Sequence, residues 1–229
     1  MKKIILSVLA TIALTGAAFA QNYSMGLTAT ALYYDASGTE TTKSSNQKNN
    51  KSDSGVAPIP SFFIETSLDT GATVGLDFIP YGAKVADFNN ARTDTDTDDA
   101  SDTAGNNKGD VNFKNHVTLY VESPIDTQLD GSYIKFGVST VTIETDESLS
   151  TGSTYGDETV QGLTLGFGVK GDLDSGAFYK VEGAVSHYQG ATFNGSFDGN
   201  AAGDSANRNV IELDDFQTAG LRLSVGKEF

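Results

Sequence analysis

From Tyr23 to Tyr34 the odd positions Tyr23, Met25, Leu27, Ala29, Ala31 and Tyr33 are apolar, while Ser24, Gly26, Thr28 and Thr30 between them are small or polar. A period of two predicts a strand with one greasy face. The same alternation recurs in Ser61 to Leu68, Ala72 to Tyr81, Val111 to Ser123, Tyr133 to Glu144, Val160 to Lys170, Ala177 to Tyr188 and about Val210 to Phe229. In the fourth stretch Phe113, Val117, Leu119 and Val121 stand opposite Lys114, His116, Tyr120 and Glu122. In the fifth, the apolar parity of Ile134, Phe136 and Val138 changes at Ser139-Thr140 to that of Val141 and Ile143, which predicts a β-bulge there. In the last, Ile211, Leu213, Leu221, Leu223 and Val225 stand opposite Glu212, Asp214 and Arg222. No segment with a helical period competes.

The connections alternate in length. Asp69-Thr70-Gly71, Pro124 to Gly131 and Asp172 to Gly176 are short and rich in turn residues. Asp35 to Ala57, Val85 to Asp110, Thr145 to Thr159 and Gln189 to Asn209 are long and polar, so long and short ends occupy opposite rims. Pro58, Pro60, Pro80 and Pro124 fall at strand ends or in a connection, where a missing N–H harms a ladder least. If Ala191 to Phe197 or Val85 to Phe88 also pairs, the count rises to ten or twelve.

The N-terminus narrows the setting. Met1-Lys2-Lys3 is basic, Ile4 to Leu14 is apolar, and Ala18-Phe19-Ala20 fits signal-peptidase cleavage, so residues 1–20 are expected to be a signal peptide and 21–229 one mature domain. Removing that segment takes away two lysines and no acid, which moves the formal net charge from −15 to −17. Such a balance argues against nucleic-acid binding, which needs a surplus of lysine and arginine. The absence of cysteine removes disulfides and thiolate metal sites. After the leader, no run approaches the roughly twenty apolar residues of a membrane helix, so a membrane passage would have to use strands.

A water-soluble barrel turns its apolar face inward; a membrane barrel turns it outward. Gly26, Gly75, Gly137, Gly166, Gly168 and Gly226 all have polar-side parity, where they would make room for long charged side chains in a narrow lumen. The outward parity gathers Tyr23, Tyr179 and Phe229 near the short-turn rim, and Tyr33, Phe78 and Phe113 near the long-loop rim, as two interfacial aromatic girdles require.

With its eight alternating strands, export signal, lack of cysteine and final Phe229, the chain resembles the small outer-membrane β-barrel proteins of Gram-negative bacteria, of the outer-membrane protein A/X or porin-like kind. The resemblance implies an all-β, eight-stranded antiparallel up-and-down transmembrane barrel in the outer membrane. It also implies that Leu221, Leu223, Val225 and Phe229 are read by the barrel-assembly machinery; Lys227 departs from that signature, since the family usually places an apolar residue there.

Inward parity collects Glu65, Asp77, Lys114, Glu122, Lys135, Lys170, Lys180, Glu182, Glu212, Asp214 and Arg222. Because eight strands enclose only enough space for side chains, these charges are expected to pair into a plug, with Glu65, Lys135, Lys180, Glu182 and Arg222 as its core. The expected role is structural or at the surface, with a small diffusion pore as the alternative. No enzyme is expected, because His116 and His187 lack a nucleophile motif and His116 reads as a luminal hydrogen-bonding residue. Asp94, Asp96 and Asp98 have the opening spacing of a calcium loop, but Asp99 and Gly105 stand where glycine and glutamate are needed. No cofactor or metal site is assigned; weak divalent bridging from this loop to lipopolysaccharide is the residual expectation. Partners are expected among outer-membrane lipid and lipopolysaccharide.

Overall fold

The computed structural model describes residues 22–42, 47–95, 102–149, 154–196 and 209–229. The expected signal peptide, and residues 96–101 of the acidic loop, lie outside them. The elements are β1 (Asn22–Thr42), β2 (Gln47–Ser67), β3 (Thr73–Phe78), β4 (Ala83–Thr95), β5 (Asp102–Pro124), β6 (Ser132–Ser148), β7 (Thr154–Tyr155), β8 (Glu158–Asp172), β9 (Ala177–Tyr188), β10 (Ala191–Ser196) and β11 (Val210–Glu228), with one 3₁₀ turn at Asp174–Gly176.

Eight of these strands form a closed antiparallel ring in the order β1-β2-β3-β5-β6-β8-β9-β11, and β11 pairs back with β1. β4, β10 and β7 pair outside the ring path and extend the wall on the long-loop side. The strand count therefore stays at eight even though the Ala191 and Val85 regions are both strands. Much of what reads as long loop is ladder: β1 and β2 remain paired out to Thr42 and Gln47. Sequence parity misses these rungs because neither face of Ser37–Thr42 is apolar.

The register fixes the geometry. A row of partners from Asp35 runs through Gln217, His187, Leu163, Val138, Leu119, Leu76 and Ile64 and re-enters β1 at Met25, ten residues lower. Eight strands sheared by ten residues tilt by about 40° and close at a backbone radius of about 8 Å. At that tilt each residue rises about 2.5 Å, so the ten steps from Tyr23 to Tyr33 cover about 25 Å, the height of a membrane belt. Over this height the apolar side chains face out: Leu27, Phe136, Leu163, Leu165, Val185 and Leu223 are all exposed, while Ser24, Thr28, Glu65 and Lys180 are buried.

Above the belt the polarity inverts. Tyr34, Phe113, Val141, Ile143, Val160, Phe193 and Phe216 are buried in one apolar cluster inside the wall, with Ile211 and Leu213 packed against it. Two strands reach this inversion by a bulge. In β5 the register slips between Lys114 and Val117, and Asn115 takes φ 50°. In β11 the extra residue is Asp214, skipped where Ser37 pairs with Asp215 and Gly38 with Leu213. Phe113 therefore points inward and leaves the outer girdle, Ile211 and Leu213 turn in, and Lys114, Glu212 and Asp214 lie outside the lumen. β6 has no bulge: Tyr133, Lys135, Ser139, Val141 and Ile143 are all buried on one uninterrupted parity. The parity change at Ser139-Thr140 marks where the apolar side of the wall passes from its outer face to its inner face.

The inward glycines also differ in role from the expectation. A Cβ on Gly26, Gly75, Gly168 or Gly226 would fall within 2.5 Å of the ring of Phe63, Tyr120, Tyr133 or Phe178, so each seats an inward aromatic from the next strand. Gly166 does lie against Lys135 and Glu182, as a thinned wall would.

One side of the ring is incomplete. β2 pairs with β3 only over Phe62–Ser67, and above Ser61 it has no ladder partner on that side among the described residues, because β4 pairs with β5 alone. The break starts about 15 Å above Tyr23, still within the belt. An unpaired edge is expensive in hydrocarbon, and Pro58 and Pro60 have no N–H to leave unsatisfied there. Ala57 and Ile59 of β2 meet Ile79, Ala83 and Val85 across this seam in the buried apolar cluster.

Candidate functional site in the lumen

Seven charged side chains occupy the lower lumen, each placed inward by strand alternation. Glu65 comes from β2, Asp77 from β3, Glu122 from β5, Lys135 from β6, Lys180 and Glu182 from β9 and Arg222 from β11. Two pairs are cross-strand neighbours, Glu122 with Lys135 and Glu182 with Arg222. The rest join across the bore, which a wall radius of about 8 Å allows. Lys180 Nζ lies 2.6 Å from Glu65 and 2.7 Å from Glu122, and Lys135 Nζ lies 2.5 Å from Glu182 and 3.1 Å from Glu122. Arg222 pairs with Asp77 through its terminal nitrogen and approaches Glu182 to 3.3 Å through Nε.

The five residues singled out from sequence thus lie in one connected cluster, but Lys180, Glu182 and Arg222, expected to pair locally on the last two ring strands, are wired differently. Lys180 reaches across to Glu65 and Glu122 and leaves Glu182 to Lys135 and Arg222. Glu122 and Asp77, read as inward but left out of the core set, are full members. Sequence reasoning also missed two phenols: Tyr120 donates to Glu65 at 2.9 Å and Tyr133 to Glu182 at 3.0 Å. Their signal was Gly75 and Gly168, which make space for the two rings. Ser24 and Ser61 donate to Glu65 and Asp77. The Lys135 ammonium also sits 4.2 Å from the centre of the Tyr120 ring.

Buried ion pairs offset their desolvation only with good geometry and added hydrogen bonds. Tyr120, Tyr133, Ser24 and Ser61 supply such bonds here, while Glu122 Oε1 and Glu182 Oε1 are held by their cations alone, without a hydrogen bond. Four carboxylates face three cations, a formal surplus of one negative charge. Below the cluster, Phe63 and Phe178 meet at 6.0 Å between ring centres and form a floor. Lys170 and Glu228 pair at 2.5 Å at its edge, with Lys170 over the Phe178 ring.

Above the cluster comes a belt of hydroxyls. Thr28 and Ser224 are 2.7 Å apart, Thr118 and Ser139 2.8 Å, Ser139 and Thr164 3.0 Å, and Thr164 and Ser186 2.8 Å. Beside the belt lies a chamber of about 60 Å³, bounded below by Asp77 and Arg222 and above by Leu32, Ile59, Ile79 and Phe113. His116 borders it. Its Nε2 lies 3.2 Å from the Tyr188 hydroxyl, and its Nδ1 is buried without a hydrogen-bond partner. Its hydrogen-bond partner among the described residues is that phenol. Leu32, Ile59, Ile79 and Phe113 join the chamber to the apolar cluster.

On the outside, Leu221, Leu223 and Val225 are exposed on β11, the strand that closes the ring. Phe229 donates its backbone N–H to Tyr23 at 2.9 Å and stacks on the Tyr23 ring at 5.5 Å. Lys227 lies outside the wall, its ammonium 5.9 Å from the centre of the Phe229 ring. His187 is exposed at the outer end of the belt. Among the described residues no three His, Cys, Asp or Glu side chains come together as a metal site, and the side chains of the acidic loop fall outside that description.

Solved outer-membrane proteins are similar to this chain in fold. The outer membrane protein OprG from Pseudomonas aeruginosa superposes with a TM-score of 0.50, covering 92% of this chain and 96% of that one at 13% identity. The fold is that of a small outer-membrane β-barrel. The outer-membrane protease OmpT from Escherichia coli gives a TM-score of 0.49 over 91% of this chain and 97% of its own at 10% identity. Outer membrane protein AlkL, solved in lipid bilayers, gives 0.49 over 91% and 90% at 12% identity. No family model and no curated protein sequence matches the barrel.

Proposed function

We propose that this barrel resides in the outer membrane as a non-conducting protein whose function lies at the cell surface, carried by the apolar-cored wall and loops above the belt. The single observation behind this reading is the ionic cluster with its aromatic floor, seven charged side chains and the rings of Phe63 and Phe178 gathered in the bore between the chamber and the short-turn rim. The alternative, a small diffusion pore, needs that cluster to part. Leu221, Leu223, Val225 and Phe229 are taken to be the segment read by the assembly machinery, since they lie on the closing strand and face outward. Lipid and lipopolysaccharide are the surrounding partners, with divalent bridging at the acidic loop. No hydrolytic role is assigned, because His116 is enclosed and faces Tyr188. Pure protein in planar bilayers is expected to give no steady unitary current, whereas a stable conductance abolished by nothing but denaturation would reject the closed lumen.

A second reading rests on the seam between β2 and β4. Apolar side chains pack across it from belt height upward, so their parting would let small apolar solutes from outside leave sideways into the outer leaflet without meeting the ionic cluster. Cross-linking Ala57→Cys to Val85→Cys would then slow uptake of an apolar dye into vesicles. Equal uptake with and without the cross-link would reject this route.

A further inference from the structure

The ion pairs of the lumen form a single line. From one end it runs Glu65, Lys180, Glu122, Lys135, Glu182, Arg222, Asp77, with acid and base in strict alternation. Every internal member meets an opposite charge on both sides, so the surplus negative charge arises because both ends are acids. The ends differ. Glu65 engages both of its oxygens: Oε2 accepts from Lys180 and Tyr120, and Oε1 from Ser24. At Asp77 the Arg222 guanidinium and the Ser61 hydroxyl both donate to Oδ2. Asp77 borders the chamber of about 60 Å³, whose wall also carries the hydroxyls of Thr30, Ser61, Thr118 and Thr218. One end of the line is thus capped by protein donors, and the other stops at a space walled with oxygen atoms.

We propose that the chamber is a binding site for one monovalent metal cation, held by Asp77 Oδ1 and the surrounding hydroxyls as the eighth member of the line. A buried charge without a partner is costly, and hard cations take oxygen ligands of this kind. A hydroxyl that donates to one neighbour keeps lone pairs for a metal. At roughly 15 Å³ for each water-sized body, the volume holds an ion with part of its water shell. The charge count fixes the valence: one positive charge brings the line to neutrality, whereas a divalent ion would leave it one positive charge in excess. Arg222, beside the site, is already shared between Asp77 and Glu182 and so presents little net charge to the ion. The site rests on the reading of the lumen as closed.

The test refolds and unfolds the full chain in phosphatidylcholine vesicles, whose head groups carry no net charge, with insertion checked first by heat-modifiable gel migration. Urea titrations are run in sodium chloride, potassium chloride and N-methylglucamine chloride at equal ionic strength, the organic cation being too bulky for the chamber. With the ion at ten times its dissociation constant, the unfolding equilibrium constant is expected to be about tenfold smaller in the better metal salt than in the organic salt, with single-site saturation. Asp77→Asn, which makes the line neutral without an ion, should abolish the difference. Thr30→Val with Thr218→Val leaves every ion pair in place and should raise the half-saturating concentration. Equal stability in all three salts, a difference that survives both sets of substitutions unchanged, or calcium acting as well as the monovalent ion would each overturn the site. If the salts are equal and His116→Gln alone loses stability, the missing charge belongs to an imidazolium instead. A steady unitary current in planar bilayers would strike the closed lumen, and the site with it.

Discussion

Lys180→Met removes one ammonium and keeps the length and apolar stem of the side chain. The structure gives Lys180 two partners, Glu65 at 2.6 Å and Glu122 at 2.7 Å, with all three side chains almost wholly enclosed. Glu65 would retain Tyr120 and Ser24, and Glu122 would retain Lys135. The cluster would nevertheless move from one uncompensated negative charge to two. Breaking a buried pair from one side destabilises by about 3–5 kcal/mol, about two to almost four decades in the folding equilibrium. Adding Glu65→Gln returns the count to one surplus charge, and the glutamine still accepts from Tyr120. The double variant should therefore recover at least half of the loss, a coupling well above the few tenths expected for independent sites. Urea unfolding of the barrel in vesicles, followed by gel migration, measures both. A single variant that loses less than about 1 kcal/mol, or a double variant no better than the single, would refute the claim that these charges hold one another.

Gly226→Ala should destabilise by about 1–3 kcal/mol by pushing the Phe178 ring, and Phe178→Leu in the same chain should relieve part of it; additive losses in a double-mutant cycle would contradict the seating. Leu165→Arg, on the lipid face at mid-belt, should lower stability in vesicles by about 2–4 kcal/mol, while Thr142→Arg, above the belt, should change it by less than about 1 kcal/mol. Phe113→Ala should lower stability by about 3–5 kcal/mol because the ring lies in the enclosed upper core, with Phe136→Ala, whose ring already meets lipid, far milder. Equal losses for the two phenylalanines would place Phe113 back on the outer face.

The number of ring strands, their outward parity over the belt and the inward charges at Glu65, Lys135, Lys180, Glu182 and Arg222 were legible because alternation in a strand sorts residues whatever the fold around it. What alternation cannot carry is the identity of the solvent. Val141 and Ile143 are apolar because water lies outside them, and Ile134 and Phe136 on the same strand because hydrocarbon does. A reading that assumes one solvent turns that change into a bulge. The true bulges, at Asn115 and Asp214, conceal the inversion in β5 and β11, since an added residue keeps Phe113 and Ile211 on the parity of the lipid-facing set. The wiring of the lumen was illegible for another reason. Lys180 finds Glu65 across the bore, and that meeting depends on a shear of ten residues that no single strand records.

The two-solvent wall has a mechanical consequence. Only the lower ten or so residues of each strand depend on bilayer thickness, whereas the upper storey carries its own core, like a small globular protein standing on a membrane pedestal. Thinning the bilayer would load the pedestal and leave the superstructure intact, so whatever this molecule displays to the outside should keep its shape as the lipid beneath it changes.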